Sequence, residues 1–304
     1  MTPLTFSPIA LADLPRVRSI VERTPYQSCQ LSAGGLYALA EQYDTHVCFA
    51  DGFLFVRQQR RGVGTCYFMP VGVGRLSEAL DRLREHAAAA ASPLALWGIA
   101  EDMVDDFRAA APRYAAVELT PHRDWAEYIH AAQRLLTLQG KHLQPKRNAL
   151  NQLLRSHADF RYEAISEANV AEVLAFQLRQ VEEQKERTPR EALEVEHRAI
   201  RRALKDFTAA GFVGGLIRID GGVAAFAAGC PISASTFDIL FEKGDRRYNG
   251  VFQLVERELI RAELQGVAYI NREEDLGIAS LRFAKQALHP DRLLMKYTAT
   301  LPNP

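Results

Sequence analysis

The sequence predicts a mixed α/β (α+β) protein made of two tandem domains, each a mixed, mostly antiparallel sheet flanked by helices. Three observations carry this expectation. The chain has 304 residues, a length that suits two domains, each able to bury a core. Short β-prone runs alternate along it with stretches of helical period. One element order, β-α-α-β-β-β-α-β-α-β, is met twice at similar spacing, as a duplicated domain would give it.

In the first half, Leu4–Ile9 reads as a short strand. Leu11–Glu22 reads as a helix with Leu14, Val17 and Val21 on one side, and Gly35–Tyr43 as a second helical stretch. Three strands follow: His46–Ala50, Phe53–Gln58 and Thr65–Val71. Asp51-Gly52 is the hairpin signal between the first two. Leu76–Ala91 is a helix, Leu94–Ile99 a strand, Met103–Ala110 a helix and Tyr114–Leu119 a strand.

In the second half, Phe160–Ile165 is a strand. Ala168–Lys185 and Arg190–Ala209 are helices split at Thr188-Pro189. Val213–Ile219, Val223–Pro231 and Thr236–Glu242 are strands, the first pair joined by Asp220-Gly221-Gly222. Val251–Leu264 is a helix with Phe252, Val255, Leu259 and Ala262 expected inward. A strand from Val267, a helix ending before His289-Pro290 and a last strand at Arg292–Thr298 complete the chain. The expected domains are 1–127 and 159–304, joined by a basic connector, 128–158, that contains a helix.

This order resembles the acyltransferase fold of the GNAT superfamily. The resemblance implies that the fourth strand and the following helix bind the donor's pyrophosphate, and that strands four and five splay to admit the acyl group. Free N–H groups at a helix start, with glycine allowing close approach, suit an anion. The second copy offers Arg246-Arg247-Tyr248-Asn249-Gly250 there, with one glycine where the superfamily's loop uses two. The first offers Gly72 and Gly74 with Arg75 as its cation. Neither is a good coenzyme A loop.

Bulk properties narrow the classes. Apolar residues make up 48% and charged residues 24%, the balance of an ordinary globular protein. The formal net charge is +0, so nothing global argues for nucleic acid or an anionic membrane. Cys29, Cys48, Cys66 and Cys230 lie far apart without a C-x-x-C, and the histidines form no H-x-x-x-H pair. We therefore expect core thiols in a reducing compartment and no metal site. The N-terminus lacks a signal-peptide pattern, and the low-charge run Ala87–Ala100 is too short to span a bilayer. A soluble, cytoplasmic protein is the expectation.

Two stretches stand out chemically. Val267–Lys285 begins as a strand, then places Glu273, Glu274 and Asp275 side by side next to Asn271 and Arg272, where the strand hands over to a helix. Ligands commonly sit beyond the carboxyl ends of strands in open sheets. One acid there is explained by helix capping, and Asp275 is the candidate N-cap; three mutually repelling acids are not. The second stretch, Tyr128–Ala158, contains no Asp or Glu but carries Arg134, Lys141, Lys146, Arg147 and Arg155. Pro145 suits a first helical turn, and Leu150, Leu153 and Leu154 form the apolar stripe. Asn148 and Asn151 share the remaining faces with the cations. Lys141, His142, Lys146 and Arg147 could converge on a phosphate; the alternative is a solvated helix end paired with acids elsewhere.

Together these stretches resemble one family. Gly140–Arg155 (GKHLQPKRNALNQLLR) looks like its G-K-x-x-x-x-K-R-N-x-x-N segment. Tyr269–Lys285 (YINREEDLGIASLRFAK) is similar to its I-N-x-E-x-D-L-G-x-x-x-L-R-x-x-K segment, and His289–Tyr297 to its closing strand; Asp124, Trp125 and Tyr128 also fit. The family is the phosphatidylglycerol lysyltransferase C-terminal domain, including soluble members of unknown function. The resemblance implies two tandem GNAT-like domains and kinship with enzymes that move an aminoacyl group from a charged tRNA to an amine or lipid hydroxyl. Lipid-modifying members carry a large membrane bundle that this sequence lacks.

The expectation is thus an acyl-group transferase using an aminoacyl-tRNA or other nucleotide-containing donor and a small-molecule or lipid head-group acceptor, with no resident cofactor. A coenzyme A-dependent N-acyltransferase and a non-catalytic ligand-binding or scaffold protein, its cleft packed shut, are the alternatives. One of Glu273, Glu274 and Asp275 would act as base, and Asn271 and Asn249 would hydrogen-bond a carbonyl. Arg282, Lys285 and Lys296 would hold the donor or balance charge. Lys141, His142, Lys146, Arg147, Arg246 and Arg247 would take its phosphate-rich part, with Asn148 and Asn151 beside them. Glu242, ending the fourth strand, would border the cleft.

Overall fold

The last strand of the chain, Arg292–Leu301, does not close the second half alone. In the computed structural model, which describes residues 3–185 and 189–302, it lies between Leu94–Ala100 and Thr120–Ala131, antiparallel to both. Thr120–Ala131 in turn pairs antiparallel with Tyr269–Glu274. The strand that ends the first half thereby joins the sheet of the second, and the strand that ends the chain joins that of the first.

One continuous sheet results. From the first-half edge it runs Ser7–Pro8, His46–Ala50, Phe53–Arg60, Gly64–Tyr67, Leu94–Ala100. The exchanged strands Arg292–Leu301 and Thr120–Ala131 follow, then Tyr269–Glu274, Thr236–Gly244, Gly222–Pro231, Val213–Ile219 and Arg161–Ala164. Position 127, where the first domain is expected to end, falls inside Thr120–Ala131. A mixed sheet with flanking helices, carrying one element order twice, is the fold.

Most expected elements form. Each hairpin turns at its expected glycine, with Asp51 and Asp220 in the left-handed region before Gly52 and Gly221. One strand is misplaced by the sequence reading. Pro112 opens a short helix, Pro112–Ala115, and the strand expected at Tyr114–Leu119 starts at Thr120. Ala262 is exposed, two residues past the buried Ile260. The break expected between Val170–Gln184 and Arg190–Lys205 rests partly on Thr188, which lies outside the described residues.

The two halves share a core. The helix Ala33–Ala38 packs on Gly222–Pro231 so closely that a Cβ at Gly34 would lie 2.1 Å from Cys230 Sγ. The same apolar cluster contains Phe55, Leu83 and Phe107 from one half and Phe176, Phe212 and Phe226 from the other. A second cluster seats the connector helix Gln144–Ser156, through Leu150 and Leu153, against Val251–Glu263. That docking dictates a glycine: a Cβ at Gly250 would lie 2.8 Å from the Ala149 carbonyl carbon.

Candidate active site

Tyr269–Glu274 pairs in parallel with Thr236–Gly244 only from Thr236↔Tyr269 to Asp238↔Asn271. Beyond that the strands part. Ile239 to Lys243 and Arg272 to Glu274 then face each other across a cavity of about 640 Å³. On its other edge, Tyr269–Glu274 shifts register against Thr120–Ala131 between Asn271 and Glu274. The extra residue is a bulge, a device that re-aims side chains. Glu273 there has φ 55° and Leu276, just beyond, φ 53°. Non-glycine residues in this region store strain that clusters at functional sites.

The bulge and a second register shift, between Leu294 and Lys296, bring three ionisable groups together in the sheet's centre. Lys296 Nζ lies 2.5 Å from Glu127 Oε1 and bonds Glu274, and both Lys296 and Glu127 are fully buried. Glu127 also accepts from Ser28 Oγ (2.7 Å), the Cys29 N–H (2.9 Å) and Asn271 Nδ2. Burial alone would lower the Lys296 ammonium, but the neighbouring Cys29, Glu127 and Glu274 outweigh it and hold the pKa well above the usual value. Burial likewise raises Glu274, yet Lys296 and Lys285 bring it below the ordinary glutamate range. Cys29, Glu127 and Glu274 offer ligand atoms within 4.8 Å of one another, a spacing that suits a cation. The Lys296 ammonium sits among them, 3.9 Å from Cys29 Sγ.

Glu273 differs from its neighbours. No ion pair or side-chain hydrogen bond holds its carboxylate among the described residues. Burial, then the charge of Glu274, pushes its pKa up to about 8, against the lowering pull of Lys285. Asp238, buried on the parting strand, is raised well above its usual value by burial and then by Glu273. The Ser32 hydroxyl pulls that value back down, and neither carboxylate oxygen has a close hydrogen bond among the described residues. Of the carboxyls here, Glu273 alone both lacks a partner among the described residues and reaches open space. It faces two cavities: the large one, and a second of about 100 Å³ walled by Tyr43, Arg60, Trp97 and Trp125. Glu274 and Leu276 also line both.

The other expected site residues divide. Lys146, Glu242, Asn249, Arg246 and Lys285 line the large cavity. Lys285 Nζ donates to the Arg272 carbonyl (2.5 Å) and the Glu274 carbonyl (2.6 Å), and burial lowers its pKa. Glu242 pairs with Arg272, which also meets Glu256 at 3.1 Å. Asn271 borders neither cavity: it donates to the Gln27 carbonyl (2.8 Å) and accepts the Glu273 N–H (2.8 Å), so it fixes the bulge.

Asp275 is fully engaged. It accepts from Tyr128 Oη (2.6 Å), Arg123 (3.0 Å), Arg282 (2.7 and 2.9 Å) and the Gly277 N–H (2.9 Å). Burial would raise its pKa, but Arg282, Tyr128 and the Gly277 N–H together hold it well below the aspartate range. It does not cap the helix Ala279–Gln286, whose N-cap is Ile278. Asp275 and Arg282 border neither cavity. Nor do Lys141, His142, Asn148 and Asn151; the His142 ring packs near His289, 4.8 Å between centroids. Arg147 turns onto the Leu138 carbonyl and, at 3.4 Å, that of Gly140. Arg247 pairs with Asp245.

Sequence reasoning missed the first-half contributors. Glu127 left one signal, a lone acid inside the apolar run Trp125–Ala132. Cys29, Arg60 and Trp97 left none, because only the strand exchange brings them to Glu274.

Comparison with known proteins places the chain in a family. The family model described as phosphatidylglycerol lysyltransferase, C-terminal, matches residues 22–300. The chain belongs to this family. A conserved protein of unknown function from Bacteroides thetaiotaomicron VPI-5482 is 33% identical, with TM-score 0.89, covering 98% of this chain and 99% of that one. The C-terminal domain of a putative lysylphosphatidylglycerol synthetase from Agrobacterium fabrum is 17% identical, with TM-score 0.63 and coverage of 96% and 92%. L-PGS from Bacillus licheniformis is 14% identical, with TM-score 0.58 and coverage of 88% and 91%. The last two likenesses show the fold. An uncharacterized protein of Mycoplasmoides gallisepticum is 22% identical over 181 residues, 58% of this chain and 56% of that protein, so the match spans little more than half the relative's length. Family and fold together make the chain acyltransferase-like. No helix among the described residues is long and apolar enough to cross a membrane.

Proposed function

We propose that the chain transfers an aminoacyl group from an ester on a nucleotide-bearing donor, of the aminoacyl-tRNA kind, to an amine or hydroxyl acceptor, with Glu273 as general base. One observation carries this reading: an unpaired carboxylate with its pKa raised to about 8 stands on a strained bulge between two cavities. A base poised near the working pH has the right proton affinity for this chemistry.

The acceptor N–H or O–H gives its proton to Glu273 as the nucleophile attacks the ester carbonyl. The C–O bond to the donor then breaks, and the same proton passes to the leaving oxygen. Lys285 has three N–H donors, two of which go to backbone carbonyls; the third is free for the developing oxyanion. Lys296 keeps Glu274 ionised, and that charge in turn raises Glu273. Lys146 and Arg246, which form no ion pair among the described residues, stand where the donor's phosphates would lie. The N-terminus of Val251–Glu263, without a side-chain cap, adds free N–H groups there.

A phosphate at that helix start also fits coenzyme A. Gly250 does not strengthen this second reading, since its lack of a side chain serves packing on Ala149. The open large cavity counts against a scaffold whose cleft is packed shut. The test is transfer of radiolabelled amino acid from a charged tRNA pool, followed as loss of the tRNA ester in the presence of an acceptor mixture, beside a thermal shift with acetyl-coenzyme A. Transfer by the wild type, abolished in Glu273→Gln with the fold intact, supports the proposal. A strong coenzyme A shift without aminoacyl transfer supports the second reading.

A further inference from the structure

We infer that the small cavity between the halves is the acceptor site, and that it takes a compact molecule bearing both an amine and a carboxylate, the carboxylate held by Arg60. This rests on the transfer reading above and names its acceptor class.

Arg60 carries the argument. It ends the strand Phe53–Arg60 and lines the small cavity together with Glu273 and Glu274. Its guanidinium lies 3.9 Å from the Tyr43 ring centroid and 5.6 Å from that of Trp97. Nε and one Nη donate to Gln58 Oε1, at 3.1 and 2.7 Å. The Cys66 thiol takes a further hydrogen bond from the guanidinium. Those contacts fix the plane of the group while still leaving N–H donors over, since a guanidinium has five. No carboxylate pairs with it among the described residues, although the other arginines near the bulge, Arg123, Arg272 and Arg282, each have one. A half-buried arginine oriented by stacking and short of an anion is built to receive one, and its fork matches a carboxylate.

The opposite wall supplies the second half of the recognition. Glu273 can accept an amine proton, and Trp97 and Trp125, with centroids 4.3 Å apart, close the side. The space bounds the part of the acceptor that enters. A single water needs roughly 10–15 Å³ of such space, so about 100 Å³ holds a molecule of several heavy atoms, not a nucleotide or a whole lipid. In the transfer, the acceptor nitrogen forms the new C–N bond, the donor C–O bond breaks, and the amine proton travels through Glu273 to the leaving oxygen.

The experiment uses the full chain without donor. Amino acids and glycyl dipeptides are screened at millimolar concentration by saturation-transfer NMR. The best binder is then compared by calorimetry with its decarboxylated amine and with phosphoethanolamine. Loss of a charged hydrogen-bonded contact predicts at least about tenfold weaker binding of the decarboxylated amine, and a similar loss in Arg60→Gln at unchanged melting temperature. Arg60→Lys should restore binding only in part. Equal affinity for the decarboxylated amine, tighter binding of phosphoethanolamine, or no binding by any amino acid or dipeptide overturns the inference. Binding without any aminoacyl transfer would contradict the proposed reaction and leave this site standing. Transfer to a hydroxyl acceptor, with no zwitterion bound, would do the reverse.

Discussion

The ammonium of Lys296 lies 2.5 Å from Glu127 Oε1, and both side chains are fully buried. One comes from the strand that ends the chain and the other from the strand that ends the first half, so the pair pins the exchanged strands together. Removing one partner of a buried ion pair strands the other charge. Lys296→Met should therefore cost on the order of 3–5 kcal/mol in urea unfolding. Adding Glu127→Gln should recover part of that loss, a non-additivity that a double-mutant cycle reads directly. A loss near zero for the single variant would mean that the cluster does not hold the strands.

Asp275 and Arg282 should behave as structure. The folded-state pKa of Asp275 lies below its unfolded value of 3.8. Its contribution is thus present above that value and lost as pH falls below it. Asp275→Asn should lower stability at neutral pH and flatten the acid limb of the unfolding curve. An unchanged melting temperature with lost transfer would instead return Asp275 to the catalytic set.

Glu273 has the opposite sign. Its folded pKa, about 8, lies above the unfolded 4.5. The stability tied to its proton is full below pH 4.5 and is lost as pH rises through about 8. Glu273→Gln should raise the melting temperature at pH 9 and change it little at pH 4, a trade of stability for activity common in active sites. Thermal scans across that range check it.

The connector cations should split. Lys146→Ala and Arg246→Ala should each weaken donor binding several-fold, with a shallower dependence on salt. Arg147→Ala should leave donor affinity alone and lower stability, because Arg147 binds the carbonyls at the end of Ala132–Thr137. Donor titrations at two ionic strengths distinguish these outcomes.

Much of the fold was legible because its signals are local. Hairpin glycines, the apolar stripe of Gln144–Ser156 and the period of Val251–Glu263 are written in neighbouring residues. The acidic turn and the basic helix were also visible as departures from a neutral chain, and Lys146 does share a cavity with Glu273 and Glu274. What stayed hidden depends on which strands pair. Nothing near Lys296 says that it lies beside Glu127, and adjacency made Glu273, Glu274 and Asp275 look alike. The bulge at Glu273 separates them: one carboxylate is left free, one bonds Lys296, and one is bound by Arg123 and Arg282.

The pH dependence of single-turnover aminoacyl transfer tests the central claim most directly. Wild-type rates should rise tenfold per pH unit below about 8 and level off above it, as Glu273 ionises. Glu273→Gln should lose at least about a hundredfold and show no such rise. A Glu273→Gln protein that is folded and transfers at the wild-type rate, with the same profile, would contradict the account.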